Sequence, residues 1–161
     1  NEDEAIELYD RLRTRGDFAL CEHLDREDYM DCAYLLAEEY ERRKRYMPAF
    51  RLLTSVINFE LELPYFKHFF VDVIEKLRTL VCFRMAASME PQDVIACIDE
   101  VLVLDLGPKE LAFFLKKGAE LYADTGDTVT ATSYLQRGLE LDGKLAGTKK
   151  LRERLAAAYP A

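Results

Sequence analysis

The residues most able to do chemistry are few and scattered. His23 and His68 are the only histidines, 45 residues apart, and neither has a cysteine or acid at ligand spacing. No zinc site and no H-E-x-x-H helix can be assembled from them. Acidic pairs such as Glu38-Glu39 and Asp99-Glu100 are neighbours in sequence. A general acid and base must instead face one pocket with their pKa values pushed apart, and adjacent helical residues point in different directions. There is no G-x-x-x-x-G-K-S/T phosphate loop, no G-x-G-x-x-G after a strand and no serine elbow. Ser55, Ser88 and Ser133 read as ordinary helix or turn residues. The expectation is a protein that is not an enzyme, with no catalytic residue, no metal and no cofactor.

Two further groups invite a functional reading. The four cysteines, Cys21, Cys32, Cys82 and Cys97, lack paired spacing, and the last three fall in apolar stretches where a thiol behaves as a small hydrophobe. Reduced thiols of this kind fit a cytoplasmic protein. The basic cluster Arg42, Arg43, Lys44 and Arg45 is either a solvated helix end or a clamp for a partner's carboxylates. A nucleic-acid reading is weaker, because the run is isolated in a chain of net charge -8 and lacks interleaved aromatics. No nucleic acid is therefore expected as partner. No apolar run is long enough for a membrane span: Phe69 to Val81 is broken by Asp72, Glu75 and Lys76. The chain begins at Asn1 rather than Met, as a piece trimmed from something longer would.

The elements that must position these residues are helices. Half of the 161 residues are apolar and 32% are charged, enough for one core in one domain. Four of the five prolines (positions 48, 64, 91, 108 and 160) stand where a helix is expected to begin. Apolar periodicity predicts helices over Glu2 to Arg15, Asp28 to Arg43, Met47 to Glu60 and Tyr65 to Ser88. Another starts at Pro91 and runs to Leu104 or Leu106; a pair fills Ala112 to Leu145, its second helix ending at Gly143, and a last helix spans Thr148 to Tyr159. The stripe Phe66, Phe69, Phe70, Val73, Ile74, Leu77, Leu80, Val81 and Met85 is wider than a surface helix needs, so that helix should lie between others.

One unit occurs twice. Leu115, Gly118, Ala119, Tyr122, Gly126, Ala131, Leu135 and Gly138 return 82 residues earlier as Ala33, Leu36, Ala37, Tyr40, Lys44, Ala49, Leu53 and Val56. Each is a helical hairpin with an aromatic closing the first helix and an alanine early in the second. Small residues let the two backbones approach closely, and a lone hairpin cannot bury its own apolar face.

These residues resemble the tetratricopeptide repeat family, whose pattern of large, Leu, small and Tyr, then Gly in the turn, then Ala, large and Ala they follow. The chain departs from it at Lys44, which stands for the turn Gly, at Val56, where a small residue belongs, and at Gly118, which replaces Leu. The resemblance implies an all-α right-handed superhelix of stacked antiparallel hairpins. Its parts would be an N-terminal helix and connector (1–27), repeats at 28–61 and 108–143, a divergent repeat at 64–106 and a C-terminal capping helix (147–159).

It also implies a concave face lined by the first helix of each hairpin. Partner-binding positions on it would be Tyr34, Leu35, Glu38, Arg42, Phe113, Lys116, Lys117 and Glu120, with Asp31 and Ala123 beside them. The long middle helix should contribute, in a register left open. The implied function is protein–protein interaction as an adaptor, co-chaperone-like module or assembly scaffold holding a peptide or helix. A structural role, in a homodimer or packed within a larger protein, is the alternative, motivated by the wide stripe of the middle helix.

Overall fold

The computed structural model describes residues 26–61 and 67–158, with side chains within 33–58 and 71–158. The helix expected at Glu2 to Arg15, its connector, Cys21, His23, Phe66 and the side chains of Cys32, His68, Phe69 and Phe70 lie outside these limits. The described residues are all-α, with no strand among them. α1 is Arg26–Arg42 and α2 Tyr46–Leu61. α3 starts as Lys67–Thr79, passes through the π-helical stretch Leu80–Met85 and finishes as Ala86–Ser88. α4 (Pro91–Leu102), α5 (Pro108–Asp124), α6 (Thr128–Leu141) and α7 (Lys149–Ala158) follow.

Punctuation explains most of these limits. Pro91 and Pro108 sit at the first helical position, where the missing N–H costs nothing. Asp127 caps α6, its carboxylate accepting from the Thr130 N–H at 3.0 Å and the Thr130 hydroxyl at 2.7 Å. α4 stops at Leu102, short of the expected Leu104 or Leu106. The Leu104 and Leu106 amides turn back onto the carbonyls of Val101 and Leu104, which carries Leu106 into the core.

The turns closing α1 and α5 are the same structure repeated. Arg45 N–H donates to the Tyr40 carbonyl at 2.8 Å and Lys44 N–H to that of Glu41 at 2.9 Å. Eighty-two residues later, Asp127 N–H donates to Tyr122 at 3.0 Å and Gly126 N–H to Ala123 at 3.1 Å. Both are the paired bonds of a Schellman cap, which needs a left-handed residue at its second-last position. Lys44 supplies it with φ 59° and Gly126 with φ 88°. Lysine thus does, under steric strain, what glycine does freely.

The repeat-core positions occupy the interior. Ala33, Ala37, Tyr40, Ala49, Leu53 and Val56 are buried in the earlier hairpin, and Leu115, Gly118, Ala119, Ala131, Leu135 and Gly138 in the later one. Tyr122 is half-buried and meets the Tyr134 ring edge-on at 5.0 Å. Gly118 also has its reason: a Cβ there would come within 2.8 Å of Tyr134 Cδ2. The earlier hairpin has Leu36 and Leu52 at the matching places, so bulk has moved from one helix to the other.

Consecutive helices pack on one another, and side chains tie alternate helices into two rows. In one row, Lys76 of α3 pairs with Glu38 and Glu41 of α1, and Arg78 of α3 lies over the Phe113 ring of α5. In the other, Arg51 of α2 pairs with Glu100 of α4, and the Tyr134 hydroxyl of α6 donates to Asp99 of α4. Val73, Ile74, Leu77, Leu80, Val81, Cys82 and Met85 of α3 are buried between the rows, as the width of its stripe anticipated. α7 sets Leu151 and Leu155 against Ala119, Ala123, Ala131 and Leu135.

Candidate partner-binding face

The row α1, α3, α5 turns one side away from the other row, and most of the sequence-predicted positions fall along it. On α1, residues 34, 38 and 41 lean toward α3. Lys76 Nζ lies 3.4 Å from Glu38 Oε1, 3.2 Å from Glu41 Oε2 and 6.0 Å from the Tyr34 ring. Glu41 Oε2 is buried, and Lys76 Nζ is the cation beside it. Burial alone would lower the Lys76 pKa, but the Glu41 and Glu38 carboxylates outweigh it and raise it. Burial, then the charge of Glu38, pushes the Tyr34 phenol up.

On α5, Phe113 is half-buried with two cations over its ring. Arg78 Cζ stands 4.8 Å from the ring centroid and Lys116 Nζ 5.5 Å, both within cation–π range. Lys116 Nζ also donates to the Ala146 carbonyl at 3.0 Å. Lys117 pairs with Glu120 on its own helix at 3.2 Å. The structure therefore brings Tyr34 and Glu38 into one line with Phe113, Lys116, Lys117 and Glu120, through Lys76 and Arg78 of the middle helix.

Leu35, Arg42 and Ala123 do not join that line. Leu35 is 62% exposed, but it sits about 100° round α1 from Tyr34, as Arg42 does from Glu41. Ala123 is buried against α7, because α7 covers the last turn of α5. The side chain of Asp31 lies outside the described residues.

The basic cluster is largely committed within the molecule. Arg42 and Arg43 both bind the Glu39 carboxylate, at 2.9 and 2.7 Å through their Nε atoms, and hold its pKa down at about 2. Lys44 turns the chain, and Arg45 lies 5.1 Å over the Tyr40 ring.

Sequence reasoning left the register of α3 open and so did not place Lys76 and Arg78, and Arg84 lies beyond a change of register within the helix. Arg84 follows Leu77 by seven residues, two α-helical turns, so unbroken α geometry would put it on the buried line. The wider π turn sets later side chains back by about one position. Met85 takes the buried place, and Arg84 swings out, 62% exposed, with Nε 3.4 Å from Glu41 Oε1. Three successive buried residues, Leu80, Val81 and Cys82, were the available signal.

Cys82 and Cys97 are buried free thiols, pushed by desolvation to about 12 and about 11. Among the described residues no three of His, Cys, Asp and Glu are grouped to hold a metal ion. None of the described helices is long and apolar enough to cross a membrane. Comparison with protein-family models, curated proteins and solved structures gave no match.

Proposed function

We propose that this chain is a protein–protein interaction module of the tetratricopeptide-like kind, a short right-handed stack of three hairpins capped by α7, that binds without turnover. Its ligand is a peptide or helix of another protein, laid across α1, α3 and α5. The reading rests on the resemblance of the two matched hairpins, supported by the cap that recurs at an offset of 82 residues.

The observation that carries the site is the group Arg78, Phe113 and Lys116. Lys76, Arg84 and Lys117, the other cations facing their neighbours along this row, each have a carboxylate partner. Arg78 and Lys116 have none among the described residues; they lie over a half-buried aromatic instead. An aromatic wall beside two uncompensated cations suits an acidic segment with an apolar anchor.

The test is capture of partners from a lysate by the intact chain, with Arg78→Glu and Lys116→Glu as a double variant. Loss of the captured proteins, with helicity unchanged by circular dichroism, is the expected result. Unchanged capture moves the binding surface elsewhere.

A further inference from the structure

Among the described residues, the row α2, α4, α6 has an open side. α4 lies along one flank of α6 through the bond from Tyr134 to Asp99. On the far flank Thr132, Leu135, Gln136, Leu139 and Glu140 line an open groove of about 370 Å³. α7 occupies the place of a fourth first helix and, among the described residues, has no second helix beside it. The groove is thus the vacant slot of the second row.

Charge says what fits there. From position 143 to 158 the chain carries Lys144, Lys149, Lys150, Arg152 and Arg154 against the single carboxylate Glu153, in a protein of net charge -8. The flank of α7 opposite Arg154, which binds Asp124 at 2.7 Å, presents Arg152. The opposite composition stands at the other end of the sequence. Residues 2–10 hold five carboxylates and no cation, and Ala5, Ile6, Tyr9 and Leu12 give that segment an apolar stripe at helical spacing.

We infer that residues 2–15 of a second copy of this chain dock in the slot beside α6, with Ile6 and Tyr9 on Leu135 and Leu139 and the acidic residues toward α7. In cis, the segment would have to draw residues 16–25 nearly straight. It enters at α1, three helix spacings of about 8–10 Å away in the stack, and must also cross between rows. Residues 16–25 reach only about 33–36 Å when fully extended. Docking in trans needs no taut linker. Because the two surfaces differ, each copy keeps one of each kind free, and association is head to tail and open-ended.

The experiment is light scattering or sedimentation of the full chain over a wide concentration range, with two kinds of variant. Ile6→Ser with Tyr9→Ser removes the apolar stripe and leaves every charge. Leu139→Glu blocks the groove, and Gln136→Glu at an exposed position serves the same end where Leu139→Glu perturbs folding. The wild type is expected to grow past the mass of two copies as concentration rises, and to shrink as salt screens the contact. Each variant alone is expected to stay at the mass of one chain, and a mixture of the two kinds to stop at two.

A wild type that stays monomeric overturns the inference. So does one that stops at a dimer, a blocked variant that still grows, or a mixture that fails to pair. None of these substitutions touches Arg78, Phe113 or Lys116, so the result stands apart from partner capture on the other row.

Discussion

The recurring cap gives a sharp prediction, because its two versions differ in one residue. Lys44 and Gly126 hold the same left-handed place, φ 59° and 88°. A side chain there crowds the following carbonyl, at about 1–2 kcal/mol for an L-residue. Glycine avoids this but loses about 0.4–1 kcal/mol through the greater freedom of its unfolded chain. The difference favours glycine by about 0.5–1 kcal/mol. Lys44 also brings a charge that suits the C-terminal end of α1, so Lys44→Gly must be compared with Lys44→Ala, which removes the charge and keeps the strain.

Sterics beyond the backbone do not interfere. Lys44 is exposed, and a Cβ added at Gly126 meets nothing within 4 Å. By urea unfolding, Lys44→Gly should exceed Lys44→Ala by about 0.5–1 kcal/mol, and Gly126→Ala should fall below the wild type by a similar amount. In thermal melts each step corresponds to about 1–4 °C for a chain of this size. An alanine at Lys44 as stable as glycine, or a Gly126→Ala chain as stable as the wild type, would refute the shared cap.

Gly118→Leu restores the residue the repeat family prefers, yet it should destabilise by about 1–3 kcal/mol, since Tyr134 fills that space. Adding Tyr134→Leu should recover part of the loss, and a double-mutant cycle by urea unfolding measures the coupling. Asp127 accepts two bonds from Thr130 that hold its pKa below the usual aspartate value. Its contribution is therefore present above the unfolded pKa and lost as pH falls through the folded one; Asp127→Ala should remove that part of the acid-side slope in melts between neutral and acid pH.

Glu39, with its folded pKa near 2, behaves likewise, and Glu39→Gln should flatten the stability profile where pH falls from the usual glutamate range toward 2. Burial leaves Cys82 and Cys97 without thiolate at neutral pH, so both should resist alkylation in the folded chain and react at the rate of unfolding in urea. Mass spectrometry of timed samples reads this directly.

Much of the helical outline was legible because proline, glycine and apolar spacing act locally. Pro91 and Pro108 start helices by their ring geometry, and Gly126 ends one by its backbone freedom, whatever surrounds them. Lys44 stands in the sequence as a departure from the repeat pattern. It is one in residue type only, since the turn keeps its geometry and the chain carries the strain. Gly118 shows the opposite limit. Its smallness answers to Tyr134 on another helix, and no local rule reveals a compensation made sixteen residues away. The same holds for the end of α4, where the core's claim on Leu106 overrides helical spacing that continues to suit residues 103 and 104.

The candidate face was half legible for a reason that also explains its form. Register on α1 and α5 follows from 3.6-residue spacing, so Tyr34, Glu38, Phe113 and Lys116 were reachable from sequence. On α3 that count fails at Leu80, where one wider turn separates two registers. Lys76 and Arg78 precede the change and lie on opposite flanks, one toward α1 and the other toward α5. Arg84 follows it and returns to the flank of Lys76, so that both reach Glu41. An α-helix without the extra residue would have to bury Arg84 along the line of Leu77, or give up the pair with Glu41. The π stretch thus keeps an arginine out of the core and leaves Arg78 as the cation that α3 sets over Phe113. If α3 carries a ligand's charge, it does so at that guanidinium.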